Sequence, residues 1–104
     1  MRVVAYVPDL IDRSRITTFA PTAKFVDKPS DLASATASAD IALVDISREG
    51  AVDALRGVQC QRVVGFTNHT DKASMASAEA AGAIALARSD FFIRLEELLL
   101  GPDG

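Results

Sequence analysis

Several short apolar runs in this chain end on a side chain able to do chemistry. Residues 3–7 run into Pro8 and Asp9, 41–44 into Asp45, 63–66 into Thr67, and 83–87 into Arg88. Two carboxylates held at one mouth repel each other, and a hard divalent cation such as Mg2+ relieves that repulsion. A hydroxyl and a guanidinium beside them suit an oxyanion such as a phosphoryl group. Each residue also has a plainer use. Asp45 can cap the turn that follows it, Asp9 can be the N-cap of a helix, and Thr67 can bond within a local turn. Arg88 can pair with Asp45 or Asp9 directly, as a structural replacement for a metal.

Other reactive side chains are isolated. His69, the single histidine, lies in Thr67-Asn68-His69-Thr70-Asp71, and a lone imidazole makes no metal site. Asp45, His69 and Ser47 could be drawn as a hydrolytic triad, and an Asp/His pair as a small acid–base enzyme, but no nucleophile-elbow signature supports either. The single cysteine, Cys60, has no partner for a disulfide or a Cys-rich zinc site, which reads as an inert thiol in a reducing compartment. Arg outnumbers Lys eight to three, and these residues are scattered in a chain of net charge −3. A clustered basic face for nucleic acid is therefore not expected. The first apolar run is too short for a signal peptide, and no stretch approaches the roughly 20 residues of a membrane span. These features predict a soluble cytoplasmic protein with neither nucleic-acid nor membrane partners.

The elements that must position these residues follow from composition and period. The 104 residues are 49% hydrophobic and 24% charged, enough for one core. Eighteen alanines and no tryptophan suit close helix–sheet packing. Apolar runs at 3–7, 23–26, 41–44, 63–66 and 83–87 lack polar alternation, the pattern of parallel strands covered on both faces. Helical patterns fill the gaps at 10–19, 30–39, 50–57, 71–81 and 91–100. The last carries a stripe of Phe91, Phe92, Leu95, Leu98 and Leu99, with Ser89 or Asp90 as its N-cap. Leu100 and one of the two phenylalanines would then point away from the core, a face for a homodimer. Residues 1–100 form the expected domain and 101–104 a frayed tail. Strand–helix alternation predicts right-handed crossovers and a single doubly wound α/β sheet of five parallel strands. Strand order is not visible in the sequence, and the flavodoxin-like order 2-1-3-4-5 is expected as the commonest solution for five such units. Ligands of such sheets bind at the carboxyl ends of the strands, near the switch point between strands 1 and 3. Asp9, Asp45, Thr67 and Arg88 would meet there.

On these residues the chain resembles the receiver domains of bacterial two-component response regulators, the CheY-like family. Asp40 to Ile46 is similar to the third strand of that family, which ends in the phosphoacceptor aspartate. Val63 to Thr67 is similar to the fourth, which ends in a Ser or Thr. Ala81-Gly82-Ala83, Arg88 and the 91–100 helix resemble the fifth strand and final helix. The resemblance implies Asp45 as phosphoacceptor. Asp9, Asp45 and the backbone carbonyl of Ser47 would be the Mg2+ ligands. Thr67 would be the switch hydroxyl, and Arg88 would stand in place of the phosphate-binding lysine. No organic cofactor is implied.

The chain also departs from the pattern. Pro8 replaces the first acid of the pair, Arg88-Ser89 replaces Lys-Pro, and Ile46-Ser47-Arg48-Glu49-Gly50 lacks the usual Met-Pro. The loss of Lys-Pro also removes the reason for a cis peptide there. Together these features imply an atypical or pseudo-receiver. It would be a stand-alone signalling module acting by protein–protein contact with a histidine kinase or an output protein. The alternative is a small anion- or nucleotide-binding module using the same crevice, although Pro8-Asp9-Leu10-Ile11 is no glycine-rich phosphate loop.

Overall fold

The structure, a computed structural model, describes residues 1–100; the tail expected to fray at 101–104 lies outside them. Strands β1 (Val3–Tyr6), β2 (Lys24–Phe25), β3 (Ile41–Asp45), β4 (Arg62–Thr67) and β5 (Ile84–Ala87) form one sheet. Every pairing is parallel, as the strand–helix alternation predicts, and the order is β2-β1-β3-β4-β5, the commonest arrangement for five such units. Side chains one residue apart enter opposite layers. Val3, Ala5, Val7, Leu43, Val64 and Phe66 pack with Ile16, Phe91 and Leu95 on one face. Val4, Tyr6 and Val44 pack with Leu32, Leu55 and Ala78 on the other. Both faces are therefore apolar, which is why the strand sequences show no alternation.

Helix α1 (Leu10–Phe19) has the predicted extent. The 30–39 pattern does not form one helix. A single turn, α2 (Leu32–Ala35), is flanked by 3-10 turns at Pro29–Asp31 and Thr36–Ser38. Thr36 is buried, and its hydroxyl donates to the Leu32 carbonyl at 2.6 Å while accepting the Gln59 N–H at 3.0 Å. Such a side-chain bond competes with helix propagation. Residues 50–57 likewise give a short α3 (Ala51–Ala54) running into a 3-10 turn at Leu55–Gly57. Helix α4 (Lys72–Ala80) ends where Gly82 adopts φ +94°, with Ala83 N–H bonding the Ala78 carbonyl at 3.0 Å. This glycine-terminated closure satisfies the last carbonyls.

The last helix differs from expectation in three ways. It divides into α5 (Arg88–Ile93) and α6 (Leu95–Leu100). It begins directly after β5, with Ala87 rather than Ser89 or Asp90 at the cap position and no capping side chain. And neither phenylalanine points away: Phe91 and Phe92 are both buried, with Phe66 stacked on Phe91 at 4.4 Å between ring centroids. The Arg15 guanidinium covers the Phe92 ring at 3.9 Å, closing that side of it from water. Leu100, 62% exposed, faces outward as expected, and Ile93, 81% exposed, does so in place of a phenylalanine. No helix among the described residues is long and apolar enough to cross a membrane.

Candidate functional site

The carboxyl edge of the sheet carries the site. Asp45 closes β3 opposite Phe66 and Thr67 closes β4 opposite Ala87, so both strand ends arrive in register beside Arg88. Gly65 permits this close approach. A Cβ there would lie 2.8 Å from Cγ2 of Ile46, the residue that leads out of β3. Asp45, Ser47, Thr67 and Arg88 line a cleft of about 480 Å³ together with Phe66, Asn68, His69, Ala87 and Ser89. Asp9 starts α1 beside this cleft but does not line it.

Each of these side chains is committed to a neighbour. The buried Asp45 carboxylate receives the Ser47 N–H at 3.1 Å and the Ser47 hydroxyl at 2.5 Å on Oδ1, and Nε of Arg48 at 3.3 Å on Oδ2. Asp9 caps α1 by accepting the Asp12 N–H at 3.0 Å. Thr67 is buried and donates its hydroxyl to Asp71 Oδ2 at 2.9 Å. Asp71 in turn caps α4 through the Ser74 N–H at 3.1 Å. Arg88 forms a two-pronged pair with Asp12, Nη1 to Oδ2 and Nη2 to Oδ1. Its partner is therefore neither Asp45 nor Asp9. His69 is an exposed loop residue on the cleft rim.

Three partners are absent from the sequence reading: Asp12, Arg48 and Asp71. Asp12 has no solvent exposure, and both of its oxygens bond Arg88. The signal for it is helical phase, because Asp12 precedes the buried Ile16 by four residues and shares its inward face. An acid on an inward face needs a cation, and Arg88 opens α5, which packs on the same face of the sheet as α1. Arg48 could be found only from the turn that brings it back over Asp45. Asp71 is legible as an N-cap, but its bond to Thr67 depends on where β4 ends.

The electrostatics follow from these bonds. Asp9 is held below the usual carboxyl range chiefly by the Asp12 backbone N–H, with smaller help from Arg88 and Arg48. Asp71 is lowered first by Ser74, through hydroxyl and backbone N–H, and then by Thr67. Arg88 is raised mainly by its bonds to Asp12, against the opposing effect of burial. Burial pushes the Cys60 thiol up.

A carboxylate can attack phosphorus or ligate a metal only through a lone pair it can present. Asp45 presents few, since three donors converge on it. Two of the acids at this edge are already paired with guanidinium groups, Asp45 with Arg48 and Asp12 with Arg88. Among the described residues no three His, Cys, Asp or Glu side chains group into a metal-holding cluster. As arranged, the donor set does not fit a divalent ion at Asp45.

Neither a family model nor a curated protein matches this sequence. Among solved structures, a response regulator from Hahella chejuensis superposes with a TM-score of 0.79 at 20% identity, covering 95% of this chain and 92% of that one. The chain has the receiver fold. In this chain that fold is one sheet of five parallel strands in the order β2-β1-β3-β4-β5.

Proposed function

We propose that this receiver-fold domain is a pseudo-receiver that signals by protein–protein contact and is not switched by phosphorylation of Asp45. One observation carries the reading: both oxygens of Asp45 are bonded within their own loop, by Ser47 and Arg48. Arg88, which the receiver resemblance puts in place of the phosphate-binding lysine, is bonded to Asp12. Mg2+ is then not required to hold the site together. The partner is a signalling protein, a histidine kinase or an output protein, or a second copy of the chain. Apolar side chains suited to such contact are Leu10, Ile11, Ile93 and Leu100, all more than half exposed. The small-anion reading has less support, because the guanidinium it would use already spends two of its N–H groups on Asp12.

Incubation with acetyl phosphate and Mg2+, followed by intact-mass measurement, tests the proposal. Neither wild type nor Asp45→Asn is expected to gain a phosphoryl group. A phosphoryl adduct on wild type that Asp45→Asn abolishes overturns it.

A further inference from the structure

The loop after β3 folds back over the strand end it leaves. Arg48 N–H lies 3.4 Å from the Asp45 carbonyl, and the Ala51 N–H donates to the Arg48 carbonyl at 3.1 Å. Gly50, at φ +79°, then turns the chain into α3, a conformation that glycine adopts without a Cβ penalty. This path returns the Arg48 side chain to Asp45, with Nε at 3.3 Å from Oδ2. The Asp45 side chain is 5% exposed and that of Arg48 is 45% exposed. The guanidinium thus bonds the buried carboxylate while keeping one side in water, and Ser47 bonds the other oxygen.

We propose that Arg48 is a tethered counter-cation that holds the place of a divalent ion at Asp45, and that its removal opens the Asp9–Asp45 edge to Mg2+. This rests on the pseudo-receiver reading and names the residue that enforces it. A buried carboxylate that stays ionised needs a compensating charge. A guanidinium three residues away supplies it at an effective concentration that a short tether puts in the millimolar range or above. Mg2+ would have to shed water and displace Arg48 to reach Oδ2 of Asp45, and it dehydrates reluctantly. Arg88 is no substitute, because its guanidinium bonds Asp12.

The test uses the full chain as wild type, Arg48→Ala and Arg48→Ala/Asp45→Asn. Thermal unfolding and amide NMR spectra are recorded with and without millimolar MgCl2. Wild type should show neither a Tm rise nor saturable shifts. Arg48→Ala should melt lower without Mg2+ and recover with it, with saturable shifts at Asp9, Asp45 and Ser47. The double variant should not respond. If Arg48→Ala does not fold, Arg48→Gln keeps the stem and carries the same expectation. A single variant that folds and ignores Mg2+ overturns the counter-cation role while leaving the acetyl phosphate result, and the signalling reading, untouched. Saturable Mg2+ shifts at Asp45 in wild type also overturn it, because the tether then fails to exclude the ion.

Discussion

Replacing Arg88 by methionine would leave Asp12 buried without its cation. Asp12 has no exposure, and both of its oxygens take guanidinium donors. Removing one partner of a fully buried pair costs about 3–5 kcal/mol. The Arg88 side chain is 45% exposed, however, and water screens its half of the interaction. The expected loss is therefore about 2–3 kcal/mol. For a domain of this size that corresponds to a fall in Tm of roughly 10–20 °C, out of a total stability of about 5–15 kcal/mol. The variant should fold, but weakly. Replacing both partners, as Asp12→Leu/Arg88→Met, removes the uncompensated charge and should recover much of the loss. Urea unfolding followed by circular dichroism measures both of these. A neutral-pH loss under about 0.5 kcal/mol, within the range of ordinary surface substitutions, would refute the view of this pair as a buried tie.

Two other perturbations have defined outcomes. Gly65→Ala places a methyl 2.8 Å from Ile46 Cγ2, and overpacking of this kind costs about 1–3 kcal/mol; a lower Tm, with amide shifts at Ile46 and Asp45, is expected, and an unchanged Tm contradicts the close approach. Asp71→Ala removes the cap of α4 and the acceptor for Thr67. The folded-state value of Asp71 is lowered, so its contribution is present above the ordinary carboxyl range and is lost as pH falls through the lowered value. Melting curves of wild type and variant should therefore separate at neutral pH and converge in acid, and a separation independent of pH would argue against the assignment.

Much of the architecture could be read from residue order because each parallel strand is a short apolar run ending in a polar residue. Asp45, Thr67 and Arg88 were placed at the sheet edge on that ground, and the strand ends do deliver them to one cleft. The helices were less legible where side chains compete with the backbone, as Thr36 does between α2 and the turn that follows it. Phe92 illustrates a different limit. Its burial depends on Arg15, which lies over the ring from α1, and linear spacing along the last helix carries no trace of that cover. The same holds for the site's bonding. Thr67 finds Asp71, Arg88 finds Asp12 and Asp45 finds Arg48. Residue types predict that these groups need partners, but which one is reached depends on helix phase and on turns that only the folded chain displays.

An amide NMR titration with Mg2+, followed by beryllofluoride as a phosphoryl mimic, tests the closed site most directly. A site filled by Ser47, Arg48 and Arg88 predicts no saturable shifts at Asp9, Asp45 or Thr67 with either addition. Saturable shifts at those residues, spreading through Arg88 into α5 and α6, would contradict it and mark the domain as a working phosphorylation switch.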